Sequence, residues 1–418
     1  MRFKREHKAF YRNTIWQYGL QIIKYALPLL VLPYLTRVLE PEGYAVYAYI
    51  LSFMSFAQTF IDFGFNLSGT KDVANAKNGK ELGVIVGSIT QARLILCGIA
   101  GLACAIIALN IPIMRDNPIY TLLAYLAVCG RALAPDFLFQ GMERMGPLTT
   151  RYFVSKGTST LLTFAFVRSF EDILWVPLLD ILASIIALIW SFAAARRLFG
   201  LKMTLAPIRR CLKDLAKSGY YCLSNMASVA FNGFSTLLIG IAITDQAQIA
   251  YWSLGITSIN AAQALYQPIT TSLYPHMVAG KDFKFAKRIA FKFIPVVLSA
   301  TILFAILADP IILVLGGSSY IEGAYVIRML APVLTFSFYG VLLGWPILGA
   351  VGKVRELTRT TVLSSLVSIG MLLMIIVLGL ASVALFAIVR SLTEALMCVL
   401  RAFECRKAFK QRKESDVA

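Results

Sequence analysis

Twelve runs of mostly apolar residues, each long enough to cross a bilayer, constrain this chain more than any other feature. A helix rises about 1.5 Å per residue, so a hydrocarbon layer about 30 Å thick takes roughly 20 residues. Runs of that kind fall at 14–36, 44–67, 83–110, 118–140, 150–168, 173–195, 218–243, 248–275, 289–314, 325–350, 357–378 and 380–403, the last two separated by a turn near Gly379. Hydrophobic residues make up 58% of the 418 and charged residues 15%. An ordinary soluble chain has about 45–50% and about 25%, so a water-soluble fold is excluded. The expected fold is an all-α integral membrane protein with twelve spans. The first fifteen residues are basic and polar with no cleavable apolar stretch, so the first run is expected to remain as a span.

Lys and Arg number 40 against 22 Asp and Glu, a net charge of +18. In a soluble protein that excess would point to nucleic acid. Here its position gives another meaning. With the N-terminus placed inside, thirty-two of the forty basic residues fall on the inner side. They cluster before the first run, at Lys71–Lys80, at Arg144, Arg151 and Lys156, at Arg196–Lys217, at Lys281–Lys292, at Lys353–Arg359 and at Arg401–Lys413. Only Arg37, Arg115 and Arg168 fall on the outer edges. The positive-inside rule then predicts both termini in the cytoplasm and removes the need for a nucleic-acid partner.

The outer connections are too short to hold a soluble catalytic domain. The longest inner connection, 196–217, divides the chain into an N-terminal lobe, 1–195, and a C-terminal lobe, 218–403, followed by a basic tail, 404–418. Six helices plus six is the pattern of transporters built from repeats. A faint echo supports it: Gly43-Tyr44-Ala45-Val46-Tyr47 and Ala247-Gln248-Ile249-Ala250-Tyr251 open corresponding runs. Seven cysteines form no C-x-x-C pair, and His7 and His276 are the only histidines. Free thiols are therefore expected, with no metal site and no histidine relay.

Polar side chains inside a bilayer are unfavourable, so their pattern is informative. Gln17, Gln21, Lys24 and Pro28 share one helical face, as do Ser55, Gln58, Asp62 and Asn66 in the second run. The seventh run carries Asn225, Ser228, Asn232 and Ser235, and the eighth Ser253, Thr257, Asn260, Gln263, Gln267, Thr271 and Tyr274. Such stripes bond neighbouring helices or line water. Their matching places in the two halves favour a shared water-filled cavity.

Three cations lie deep in the first half: Lys24, Arg93 and Arg131. No acid stands one turn from Lys24 or Arg93, and Asp136 is on a different face from Arg131. Unpaired deep cations suit a phosphate-bearing anion, and amide and hydroxyl stripes suit a sugar. Asp62, Asp136, Asp180 and Glu394 are candidates for proton or sodium coupling, with structural ion pairs as the competing reading. Arg390 and Glu394 have i, i+4 spacing, and Arg328 sits near an outer end, so Arg328 and Arg390 have either a structural or a substrate role. There is no G-x-x-x-x-G-K-[ST] phosphate loop, so no nucleotide cofactor is expected.

Three local motifs carry a resemblance. They are Pro33-Tyr34-Leu35-Thr36-Arg37-Val38-Leu39-Glu40-Pro41-Glu42-Gly43-Tyr44, Asp62-Phe63-Gly64-Phe65-Asn66-Leu67-Ser68-Gly69-Thr70-Lys71-Asp72 and Phe137-Leu138-Phe139-Gln140-Gly141-Met142-Glu143-Arg144-Met145. Together they resemble the Wzx family of O-antigen and capsule repeat-unit flippases, in the MOP exporter group, although the first motif usually has glycine where Glu40 stands. The resemblance implies two six-helix lobes in a V shape in the bacterial inner membrane. It implies alternating access that moves an undecaprenyl-diphosphate-linked oligosaccharide between leaflets, without enzymatic chemistry. Lys24, Arg93 and Arg131 would draw in the diphosphate, and the stripes would hold the glycan. A polysaccharide polymerase or chain-length regulator is the expected partner of a monomeric chain. The alternatives are a MATE-type multidrug antiporter, for which a deep acid would suit better than Lys24, and the lipid II flippase branch, which typically has fourteen helices. A membrane polymerase or glycosyltransferase would need large outer loops or acidic metal-binding motifs.

Overall fold

The computed structural model describes residues 2–280 and 283–415, apart from the side chains of residues 2–14, of some residues between 220 and 289, and of those beyond 409. Every described element is helical. The first half holds α1 (Arg2–Asp62), α2 (Phe65–Ala74), α3 (Gly79–Asn110), α4 (Pro112–Arg115), α5 (Pro118–Ala132), α6 (Asp136–Gly141), α7 (Met145–Phe166) and α8 (Trp175–Phe199). It continues with α9 (Ile208–Ala242), α10 (Gln246–Gly280), α11 (Phe283–Ile306), α12 (Ala308–Leu315), α13 (Ala324–Leu330), α14 (Pro332–Leu342), α15 (Val354–Val377) and α16 (Val383–Ser415). The backbone forms two compact units, Met1–Gly233 and Phe234–Ala418, so the first turns of α9 pack with the first unit.

Each apolar run is occupied by helix, but the helices are interrupted where the sequence demands it. The first two runs form one element broken at Glu40 (φ 55, ψ 177), immediately before Pro41. Proline disfavours helical geometry in the residue before it and starts the next helix well. The fourth run breaks at residues 133–135 ahead of Asp136, and the ninth bends by 64° between α11 and α12. The tenth ends in a π-helical turn, Leu343–Gly349, containing Pro346.

Among the described residues, seven helices pass as spans by length and apolarity, or eight if the bent pair counts as one. Twelve runs give fewer such helices for two reasons. The first two runs merge into one stretch, Ile15–Ala74. In addition, α7 has 22 residues, long enough to cross, but its polar stripe and charges lower its apolarity, and several side chains of α9 and α10 lie outside the described residues. The helices are apolar on the outside, as a bilayer requires. In α3, Leu94, Ile95, Ile99, Leu102 and Ile106 are exposed while Leu82, Ile85, Val86, Ile89 and Arg93 are buried. Water would not tolerate that much apolar surface.

In the second unit, Leu273, Met277, Phe338, Leu342, Ile347, Leu348, Leu357 and Cys405 form a core. Arg401 crosses it from α16, donating to the Gly340 carbonyl at 2.6 Å and to Thr361 Oγ1 at 2.8 Å. All seven cysteines are free thiols.

Candidate functional site

The first unit encloses a cavity of about 470 Å³. The first part of α1 contributes Lys24 and Pro28, and its later part Gln58 and Asp62. Asn66 of α2, Arg131 of α5, and Asp136 and Gln140 of α6 continue the wall. The α7 face supplies Arg151, Tyr152, Ser155, Lys156, Ser159, Thr160 and Thr163, and α8 supplies Asp180 and Ser184. Lys24, Arg131, Arg151 and Lys156 thus face Asp62, Asp136 and Asp180, with Arg93 just behind.

Most of these charges are paired across helices. Arg93 is 1% exposed; it donates to Asp62 Oδ1 at 3.1 Å, to Asn66 Oδ1 at 3.2 Å and to the Ala134 carbonyl at 3.0 Å. Arg151 grips Asp136 with both nitrogens, at 2.5 and 3.2 Å, and also reaches Ser191. Asp180 takes Lys156 at 2.6 Å and Arg131 at 3.5 Å, and Arg131 also donates to Gln58 at 3.4 Å. Such pairs, closed by hydrogen bonds, satisfy charges that would be unfavourable alone in a low-dielectric interior. They lock α1 to α3, α6 to α7, and α8 to both α5 and α7.

The expectation of three unpaired cations is therefore corrected for Arg93 and Arg131. Their partners lie 31 and 49 positions away in the sequence, beyond any search confined to one helical turn. Lys24 stands apart. It is exposed to the cavity, its Nζ is 5.7 Å from the centre of the Tyr152 ring, and among the described residues it makes no ion pair. A cation over an aromatic face remains available to an incoming anion.

Arg151 and Lys156, counted above as inner-edge markers, are a second correction. The α7 helix starts at Met145, so Arg151 lies about 9 Å along it at the usual rise. Arg151 is 6% exposed. The signal was in the sequence: Arg151, Ser155, Ser159 and Thr163 repeat every fourth residue and form a fifth polar stripe.

Other expected positions lie elsewhere. Gln17, Gln21 and Asn260 are exposed and Asn225 is half-buried, and all four lie outside the cavity wall. Gln263 donates to Ser337 at 3.0 Å, bonding α10 to α14. The side chains of Asn232 and Gln267 lie outside the described residues. Arg390 and Glu394 close a buried pair at 2.8 Å, and Arg328 pairs with Asp309. Among the described residues no group of acidic, cysteine or histidine side chains is arranged to hold a metal.

The flippase-like motifs meet in this unit. Thr70 Oγ1 lies 3.4 Å from Gln140 Oε1 and 3.4 Å from the Phe137 carbonyl, joining the second motif to the third. Tyr34 of the first motif donates to the Val167 carbonyl at 2.6 Å, securing the end of α7.

Comparison with known proteins gives a consistent result. Among solved structures the chain is similar to the lipid II flippase MurJ in an inward closed conformation, with a TM-score of 0.71 at 15% identity over 95% of this chain and 87% of that one. It is also similar to an inward-facing MATE multidrug-resistance transporter of the MOP superfamily, with a TM-score of 0.69 at 13% identity over 96% and 99%. These likenesses show that the chain shares the fold of those two transporters. An Escherichia coli K12 protein described as a candidate O-antigen transporter is 27% identical over 270 residues, which is 64% of each chain, so that match spans less than two thirds of the relative. A Shigella dysenteriae protein of the same description is 25% identical over 364 residues, 85% of this chain and 90% of that one. With its apolar helices, the chain is a multi-pass protein of the bacterial inner membrane. The family model for polysaccharide biosynthesis proteins matches residues 10–281, well over half of the chain, which therefore belongs to that family.

Proposed function

We propose that this protein is a flippase that moves an undecaprenyl-diphosphate-linked oligosaccharide repeat unit from the cytoplasmic to the outer leaflet. It acts as a transporter, not an enzyme, in the assembly of a surface polysaccharide. The observation that carries the reading is Lys24: an exposed cation without an acidic partner among the described residues, on the wall of a cavity whose other charged lining residues are held in ion pairs. Diphosphate oxygens would take charge-assisted bonds from Lys24, and the hydroxyls of Ser155, Ser159, Thr160 and Thr163 would face the sugars. The polyprenyl tail would remain in lipid. The relatives described as O-antigen transporters support the substrate class. Alternating access, cytoplasmic termini, a proton or sodium gradient acting through Asp62, Asp136, Asp180 or Glu394, and a polymerase partner all belong to the same proposal.

The test is complementation of a strain lacking its own flippase. Lys24→Ala is expected to lower surface polysaccharide by about tenfold or more at unchanged protein level, the scale of one lost charge-assisted bond. Lys24→Arg is expected to keep most of it. Normal export by Lys24→Ala would overturn the headgroup role. Drug resistance without polysaccharide export would favour a multidrug antiporter.

A further inference from the structure

Residues 200–207 carry no helix between α8 and α9, yet they are held firmly. Thr204 N donates to the Gly83 carbonyl at 3.3 Å, and Ala206 N donates to Gln91 Oε1 at 2.8 Å. The approach requires glycine on α3. A Cβ at Gly83 would stand 2.2 Å from the Lys202 carbonyl oxygen, and one at Gly87 would stand 2.0 Å from that of Thr204. The first turns of α9 are fastened in the same way, by Ser88 Oγ to Asp214 Oδ2 at 2.7 Å.

This fixed strap has two different faces. Leu201, Ala206, Cys211, Asp214 and Ser218 are buried against the first unit. The other face turns out apolar side chains: Leu205 is 80% exposed, Ile208 59% and Leu212 57%. Lys202, Arg209 and Lys213 are exposed beside them and make no ion pair among the described residues. In water, a rigid backbone presenting those three apolar side chains would be unfavourable. The strap, however, begins where the span-forming stretch Phe170–Phe199 ends, and the length and apolarity of that stretch put a membrane–water boundary near its end. Apolar side chains interleaved with basic ones are the signature of a segment seated in that interface, and the bare cations complement acidic headgroups.

We propose that residues 200–214 form an interfacial anchor that inserts Leu205, Ile208 and Leu212 among the lipids and binds anionic phospholipid headgroups through Lys202, Arg209 and Lys213. The anchor is separate from the cavity, and its test does not depend on transport.

The full chain is reconstituted in vesicles of phosphatidylcholine with or without phosphatidylglycerol. The emission that Leu205→Trp adds to the parent is expected to be quenched by lipids brominated on the acyl chain and protected from aqueous iodide. The triple variant Lys202→Gln, Arg209→Gln, Lys213→Gln is expected to retain less phosphatidylglycerol relative to phosphatidylcholine through detergent purification, by up to about fivefold per charge removed. Arg355→Gln, an exposed cation elsewhere, is expected to leave that ratio unchanged. Quenching by iodide but not by brominated lipid would overturn the proposal. An unaltered lipid ratio in the triple variant would overturn it too, as would an acidic protein that binds the parent but not the triple variant while the lipid ratio stays constant.

Discussion

Glu40 shows how a single residue can carry strain that its neighbours dictate. Its φ of 55 and ψ of 177 fall in a region that glycine occupies almost alone, and the following Pro41 disfavours helical geometry there. Glycine is also the usual residue at this place in the flippase-like motif. Glu40 is exposed, so its side chain contributes no core packing. Glu40→Gly is therefore expected to stabilise the protein by about 1 kcal/mol, the relief of strain less the greater freedom of glycine in the unfolded chain. A raised midpoint of thermal aggregation in detergent would verify this, and a lowered one would refute it. Lys24 was legible at the same scale, because depth and spacing alone marked it as a cation inside the bilayer. Arg93 and Arg131 were legible as deep charges but not as paired ones.

Between elements, the ion pairs fix which helices touch. Arg93 on α3 is nearly inaccessible and depends on Asp62 at the end of α1 for its contacting carboxylate. Asp62→Ala is expected to destabilise the first unit by about 3–5 kcal/mol, because a buried guanidinium is left without that charge. The double variant Asp62→Ala, Arg93→Met removes both charges and is expected to recover most of the loss. The folded fraction after heating, read by size-exclusion chromatography, separates the outcomes; equal losses in the single and double variants would show that the pair is not the cause. Helix positions were largely readable from apolar runs: 357–378 became Val354–Val377, and 150–168 became Met145–Phe166. Those few residues at the start of α7 mattered most. They moved Arg151 and Lys156 from the assumed inner edge of a span to the cavity wall, and the four-residue repeat on that helix was the overlooked sign.

For the whole molecule, the distribution of Lys and Arg predicts both termini inside. A C-terminal fluorescent protein is expected to fold and fluoresce, and an alkaline phosphatase fused at the same place is expected to be inactive. An active phosphatase would reverse the orientation. The polar stripes of α1, α9 and α10 were expected to meet in one cavity shared by the halves. Within the first unit, a cavity draws on α1, α2, α5, α6, α7 and α8, and within the second, Gln263 of α10 bonds to its neighbour α14. A stripe records only that a helix face avoids lipid. Whether that face meets water or another helix depends on what packs against it.

By itself, the sequence determined that the chain is a helical membrane protein and where its apolar helical runs lie, because bilayer thickness imposes a length and an apolarity that can be read one run at a time. It also marked Lys24, Arg93 and Arg131 as cations within apolar runs. Tertiary structure alone decided which of those cations are neutralised, since Asp62 and Asp180 reach Arg93 and Arg131 from other helices. It also decided that Lys24 is left open to the cavity and that the 200–207 strap lies in the groove made by Gly83 and Gly87. Charge pairing and close backbone approach depend on distances between segments far apart in the chain, and local periodicity carries no record of those distances.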